Sequence, residues 1–191
     1  MHQIEIAATT AITKLRKVAL PPTAVCDSPL VPGIYFNWDT ATSAVDVSLS
    51  RPAGSLLSVT ARANPPPRWF SLNIGLNKAR FTTGDVIGIV AELATDEALI
   101  LPLFIRSALD NKIRDTPLVE NLHCKGGCCI STALYTVDSA DPLAGSTAYH
   151  TLVIQLPDTD CTLDIRDLRI FAIPADRTLR AAPPTLSSKS S

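Results

Sequence analysis

The segment from His123 to Cys129 carries the densest set of side chains that could do chemistry. It reads His-Cys-Lys-Gly-Gly-Cys-Cys, so an imidazole and three thiols lie close together along the chain. Zinc prefers such ligands, and the two glycines could let the backbone fold back so that the side chains converge. The spacing does not match the paired Cys-x-x-Cys of zinc knuckles, and no second Cys/His pair follows at a typical distance. His123, Cys124 and Cys128 are the candidate metal ligands; the alternative is a glycine-rich hairpin that enters a strand.

Nucleophilic or acid–base catalysis is poorly supported by the same residues. In a strand, neighbours such as Cys128 and Cys129 point to opposite faces, and His123 points away from the thiol next to it. His150 shares the parity of Leu152, which predicts a histidine at the edge of the core rather than a catalytic base. The sequence contains no phosphate loop, dinucleotide fingerprint, His-Glu-x-x-His or Gly-x-Ser-x-Gly motif. No motif in the sequence identifies a catalysed reaction.

A group of aspartates could bind calcium or supply the two carboxylates of a glycosidase. The group consists of Asp138, Asp141, Asp158, Asp160 and Asp164. The alternative is ordinary loop chemistry, because aspartate accepts hydrogen bonds from its own turn. We expect no cofactor; a structural calcium ion is the alternative.

Composition excludes several classes of protein. The 191 residues carry a net charge of −1, with 46% hydrophobic and 18% charged residues, so the chain is neither disordered nor basic enough to hold nucleic acid. No apolar stretch reaches the roughly 20 residues of a membrane span. Five cysteines without a visible signal peptide argue against a disulfide framework. We expect a protein that is cytoplasmic as synthesised, or part of an assembled particle such as a virion, with no nucleic-acid partner and no membrane insertion.

Strand patterns dominate the chain. Ile34, Phe36 and Trp38 alternate with polar residues, which is typical of a half-buried strand, and three apolar runs of strand length follow between residues 69 and 106. About 8–10 strands without a long helix predict a single all-β domain, an antiparallel jelly-roll β-sandwich over residues 31–174. Residues 1–30 are expected to form an N-terminal strand at Ile4-Glu-Ile-Ala and a linker, in which residues 11–20 could form a brief helix. Residues 175–191 are expected to be a polar, disordered tail.

The last predicted strand changes phase along its length. Leu163 and Ile165 have one parity, whereas Leu168 and Ile170 have the other. A shift in a period-2 pattern requires an inserted residue, so we predict a β-bulge near Arg166-Asp167.

Three segments resemble a known group of folds. They are Pro-Arg-Trp-Phe-Ser-Leu at 67–72, Thr-Gly-Asp-Val-Ile at 83–87 and Leu-Asp-Ile-Arg-Asp-Leu-Arg-Ile-Phe at 163–171. In the strand pattern of these segments, residues 33–173 resemble the galactose-binding-like jelly-roll domains found among carbohydrate-binding modules. The resemblance implies sugar binding on a concave sheet face or in edge loops, and a structural calcium in many members.

Aromatic side chains are the residues on which a sugar ring could stack. Trp69 lies on the parity of Ser71, opposite the apolar Phe70, and Tyr35 lies on the parity of its polar neighbours, so both are predicted to face outward. Trp38 is predicted in the core. The predicted ligand-binding residues are Trp69, Tyr35, Arg68, Asn73 and Asn37. The alternative for Trp69 is packing beneath the prolines at 65–67.

Three functions follow as hypotheses. The first is a non-catalytic carbohydrate-binding or attachment module. The second is a structural subunit of a larger assembly, such as a virion surface, tail or spike component, for which homo-oligomers are expected. A glycan-active enzyme is the third, and it requires convergent carboxylates or a Cys/His pair in a cleft.

Overall fold

A computed structural model describes residues 2–145 and 147–176. This part of the chain contains one helix and eleven strands. They are α1 (Gln3–Lys17), β1 (Pro29–Val31), β2 (Ile34–Trp38), β3 (Ala44–Ser50), β4 (Leu57–Asn64), β5 (Phe70–Ala79), β6 (Val86–Leu101), β7 (Leu103–Leu109), β8 (Lys112–Pro117), β9 (Leu122–Thr136), β10 (Ala148–Gln155) and β11 (Cys161–Ile173).

The strands form two antiparallel sheets. The six-stranded sheet has the order β1-β2-β5-β10-β7-β8, and the five-stranded sheet has the order β3-β4-β11-β6-β9. The prediction of an all-β, antiparallel jelly-roll sandwich is confirmed. The strand count exceeds the predicted 8–10 because edge strands are easy to miss: β1 has three residues, and β8 reads Lys-Ile-Arg-Asp-Thr-Pro, without an alternating apolar pattern.

Side-chain alternation separates the core from the outer faces. Ile34, Phe36 and Trp38 are buried between the sheets, as predicted, and Phe70 and Leu72 lie opposite them on β5. The phase shift in β11 is also confirmed as a bulge. Ile165 pairs with Leu93 and Asp167 with the adjacent Glu92, so that Arg166 is the inserted residue.

The expected N-terminal strand is wrong, because residues 3–17 form a helix. Ile4, Ala8, Ala11 and Leu15 recur at intervals of three or four, and all four are buried. This is the period of an amphipathic helix, and it outweighs the β-branched residues in the segment. His2 caps the helix, with its Nδ1 accepting a hydrogen bond from the backbone N–H of Ile4 at 3.4 Å.

Helix α1 packs against both sheets, through β5 and β11. Arg51 ties down the other end of the helix by donating to the carbonyls of Leu15 and Val18, the latter at 2.8 Å. Within the described residues, α1 is too short and too polar to cross a membrane. The predicted tail lies outside the described residues, apart from its first two positions.

Candidate functional site

The outer face of the six-stranded sheet brings together most of the predicted ligand-binding residues. We call this surface the groove face. The strand registers place on it, in neighbouring rows, residues from β2, β5, β10, β7 and β8. They are Tyr35, Asn37, Ser71, Asn73, Gly75, Phe104, Arg106, Asp115, Tyr149, Thr151, Val153 and Gln155.

The groove face has a buried floor and a raised rim. Ser71, Asn73, Thr151 and Val153 point away from the core, yet each is less than a tenth exposed. Ser71 and Val153 line a cavity of about 430 Å³, which is walled by Trp69, Phe104, Arg106 and Gln155 among others. The face is therefore a groove that a chain-like or small ligand could enter, with a polar floor and aromatic walls.

Trp69 stands at one end of this groove. It immediately precedes β5 and is 43% exposed. Its indole N–H donates to Oδ1 of Asn37 at 2.8 Å, and the amide of Asn37 donates to Asp27 at 2.7 Å. These bonds hold the ring in one orientation while part of its surface stays open to solvent.

Arg68 braces the same indole. Its guanidinium carbon lies 5.3 Å from the ring centroid of Trp69, and its Nε donates to Oδ2 of Asp39 at 2.6 Å. Asp39 is buried and also accepts from Thr42 and from the backbone N–H of Ala41. The hydrogen bond from Arg68 is the largest reason that the pKa of Asp39 lies well below its ordinary range. Arg68 thus holds Trp69 in position, in addition to any contact that it makes with a ligand.

The wall of the groove opposite Trp69 contains Phe104 and Arg106, which the sequence analysis did not identify. Arg106 donates twice to Asp115, with both distances 2.8 Å, and its guanidinium carbon lies 5.4 Å from the ring centroid of Phe104. The hydrogen bond with Asp115 raises the pKa of Arg106. A signal was available, because Phe104 and Arg106 alternate with the apolar Leu103 and Ile105.

Tyr35 lies on the groove face, on β2, in the same row as Asn73. Burial raises the pKa of its phenol and nearby Asp27 raises it further, whereas the positive charge of Arg106 lowers it. The pairing of Tyr35 with Asn73 puts the buried amide beside the phenol. Asn73 donates to Ser71 Oγ at 3.1 Å. Trp69, Tyr35, Asn37 and Asn73 are therefore assembled on one surface, with Arg68 behind the indole.

The candidate metal ligands are not brought together. The chain turns sharply at 126–127, and the backbone N–H of His123 donates to Ser131 Oγ at 2.8 Å. Cys124 is buried, whereas Cys128 is exposed and accepts from Nη1 of Arg166 at 3.4 Å. Across residues 2–145 and 147–176, no cluster of three potential ligands is present.

The thiol of Cys129 is also poorly suited to metal binding or catalysis. It donates to the carbonyl of His123 at 3.4 Å. Burial, followed by the neighbouring thiol of Cys124, raises its pKa to about 11. A thiol with such a pKa carries little thiolate at neutral pH.

His150 is buried in the core rather than at its edge. Its Nε2 is 3.1 Å from the carbonyl of Ala79, and its Nδ1 is 2.9 Å from Ser107 Oγ. A carbonyl only accepts, so Nε2 carries the proton and the Ser107 hydroxyl donates to Nδ1. Both nitrogens are satisfied, and the ring performs a structural role.

Four of the five aspartates in this group form hydrogen bonds in three separate places. Asp160 accepts from the backbone N–H of Ala63 at 3.0 Å, and Asp164 accepts from Ser55 at 2.8 Å. Asp138 and Asp141 close a turn, where Asp141 accepts from the N–H of Asp138 at 2.7 Å. The calcium and glycosidase interpretations gain no support from these contacts.

Comparison with solved structures shows proteins of the same fold. A carbohydrate-binding module described as CBM4 is 14% identical with a TM-score of 0.55, and the match covers 79% of this chain and 94% of that chain. The CBM22-1 xylan-binding domain of Xyn10C from Paenibacillus barcinonensis is 10% identical with a TM-score of 0.50, covering 83% and 99%. An apo-form cyclase from Fischerella sp. is 11% identical with a TM-score of 0.51, covering 83% and 90%.

No protein-family model and no curated protein matches the chain. The predicted likeness to the jelly roll of carbohydrate-binding modules is confirmed at the level of the fold. Since a cyclase shares that fold, the fold alone does not decide between binding and catalysis.

Proposed function

We propose that this protein is a non-catalytic carbohydrate-binding module that holds a polysaccharide in the groove face. The observation that carries the proposal is the groove itself, in which a half-exposed indole, a phenol and buried amide and hydroxyl groups share one concave surface. Sugar rings present apolar C–H faces and hydroxyl edges, and these match aromatic walls and a polar floor.

The charges near the groove support binding rather than glycoside hydrolysis. Hydrolysis needs one protonated and one ionised carboxyl group flanking the bond. Three carboxylates lie next to the groove residues. Asp115 and Asp39 each pair with an arginine, and Asp27 accepts a hydrogen bond from the amide of Asn37. The low pKa of Asp39 keeps it ionised and unable to act as an acid.

Titration calorimetry with neutral plant and bacterial polysaccharides tests the proposal. We expect binding by the wild type and a loss of about tenfold in affinity for Trp69→Ala or Tyr35→Ala, the size typical of an interfacial aromatic. Ile130→Ala serves as the control, because this residue is 74% exposed on the other sheet. Absence of binding by the folded wild type contradicts the proposal. Full affinity in both aromatic variants would show that the polysaccharide binds outside the groove face.

One observation favours the second hypothesis, a subunit of a larger assembly. The outer face of the five-stranded sheet carries a group of apolar side chains, with Leu134 and Phe171 on either side of Gly88 and with Ile173 in the next row. Contiguous apolar surface of this kind marks contact sites. Light scattering on the purified protein tests it: a stable oligomer disrupted by Leu134→Asp supports assembly, and a monomer at all concentrations contradicts it.

A further inference from the structure

A second cavity continues the groove face toward the helix. It has a volume of about 620 Å³ and lies between α1 and the far ends of β5 and β10. Gly75 belongs to its wall, and the register aligns Gly75 with Thr151 and then Arg106, which walls the first cavity. The two cavities share no wall residue, but both reach this row of the sheet, where Thr151 lies between Gly75 and Arg106.

A bulge in β5 supplies this end of the groove with a cation. Between His150 and Thr151 the pairing skips a residue of β5, so that Gly75 and then Asn77 occupy successive positions. Asn77 adopts a left-handed conformation, with φ of 67°. Because of the inserted residue, Lys78 pairs with Tyr149 and shares the groove face; regular alternation would direct it to the core side.

Helix α1 supplies a second cation. Ile6, Ala7, Thr10 and Lys14 recur at helical spacing and line the same cavity. Neither Lys14 nor Lys78 forms an ion pair with any of the described residues, and no acidic residue lines this cavity. The cations at the other end differ, since Arg106 is paired with Asp115 and Arg68 with Asp39.

We propose that the helix end of the groove is a subsite for an anionic substituent, carboxylate or sulfate ester, on the bound polysaccharide. The proposal rests on the proposed function and names its substrate class as acidic glycans. Tyr149, which is 40% exposed and pairs with Lys78, would contact the sugar ring that bears the charge. The ammonium groups of Lys14 and Lys78 would then face the substituent from the helix and from the sheet.

Matched polymers test this without changing the backbone of the ligand. One series is glucuronoxylan and the same polymer after its carboxyl groups are reduced to alcohols. The other series has a cellulose backbone throughout. Hydroxyethyl cellulose is its neutral member, and carboxymethyl cellulose and cellulose sulfate compare a carboxylate with a sulfate ester. Calorimetry on the full chain compares wild type, Lys14→Gln, Lys78→Gln and the double variant, with Lys112→Gln as the control on an exposed lysine outside the second cavity.

We expect the wild type to prefer an anionic polymer over its neutral partner, and each groove lysine to contribute about two- to fivefold to that preference. The double variant should bind both forms alike, and about 1 M salt should remove the preference in the wild type. Equal affinity for neutral and anionic forms, or an unchanged preference in the double variant, overturns this inference while leaving the proposed function intact. Binding of none of the polymers overturns the proposed function itself.

Discussion

The phenolic oxygen of Tyr149 lies 2.6 Å from the position that a β-carbon on Gly75 would occupy. The tyrosine can lie flat across the strand only because residue 75 has no side chain. The backbone N–H of Gly75 donates to the carbonyl of Gly33 at 2.7 Å, which fixes the strand beneath the ring. This glycine therefore sets the shape of the groove face at the second cavity, which both residues line.

Substitution of Gly75 by alanine should displace Tyr149 and weaken polysaccharide binding. The stability cost should be modest, about 1 kcal/mol, because the clashing atom is the end of a movable side chain. The double variant Gly75→Ala/Tyr149→Phe lacks that oxygen and should recover the lost stability. Urea unfolding and calorimetry measure the two effects, and additive effects of the two substitutions would show that the contact has no energetic role.

The bond between Trp69 and Asn37 should couple the two residues energetically. Asn37→Ala removes the acceptor for the indole N–H, and Trp69→Phe removes the donor while keeping a ring. A double-mutant cycle on unfolding free energy should give a coupling of about 0.5–1.5 kcal/mol, the value of one hydrogen bond. Asn37→Ala should also weaken ligand binding because the indole is no longer held in place; a coupling near zero would contradict that positioning role.

The inner side of α1 should contribute strongly to the stability of the sandwich. Leu15 is buried against the core, whereas Ile6 on the same helix is half exposed. Leu15→Ala should cost about 2–5 kcal/mol, as core truncations do. Ile6→Ala should change stability by at most about 0.5 kcal/mol, as expected for a surface site. Similar small effects for both variants in urea unfolding would mean that α1 does not belong to the folded core.

Stability should fall as the pH decreases below the ordinary pKa of histidine. Burial is the main cause of the lowered pKa of His150, and the charge of His2 lowers it further. The unfolded chain takes up a proton near pH 6.5, while the folded protein does so only at lower pH. Between these values the unfolded state binds more protons, so unfolding becomes easier as pH falls, by at most about 1.4 kcal/mol per pH unit.

His150→Gln provides the control for that pH dependence. Its side chain does not titrate, so its stability, although lower at neutral pH, should vary less between about pH 7 and pH 5. Urea midpoints at several pH values give the comparison. Parallel curves for the wild type and the variant would exclude His150 as the source of the pH dependence.

Thiol reagents should distinguish the cysteines of the 123–129 segment. Cys128 is exposed, whereas the thiol of Cys129 has a pKa of about 11 and Cys124 is buried. A rise of 2 units from the ordinary thiol pKa of 9.0 lowers the thiolate fraction about a hundredfold, so Cys129 should react far more slowly. Mass spectrometry after brief alkylation should find the label at Cys128, and Cys128→Ser should abolish the fast phase of labelling. Early labelling of Cys124 would contradict the burial of that thiol.

Much of the sandwich could be predicted from local pattern alone. Period-2 alternation placed Trp38 in the core and Trp69 on an outer face, and a change of parity located the bulge at Arg166. The helical spacing from Ile4 to Leu15 is equally readable, but over a short window the segment Ile4-Glu-Ile-Ala resembles a strand. Cys124 and Cys128 looked like a metal site because linear spacing does not show that one thiol points inward and the other outward.

Side-chain period, polarity and turn residues thus determined which residues each strand buries, because these depend on a residue and its nearest neighbours along the chain. Only the tertiary structure decided which strands lie side by side. The sequence separates Tyr35, Asn73, Arg106 and Tyr149 by dozens of residues, and the order β2-β5-β10-β7 makes them one groove. Strand order depends on long-range packing of two whole sheets, and no local pattern encodes it.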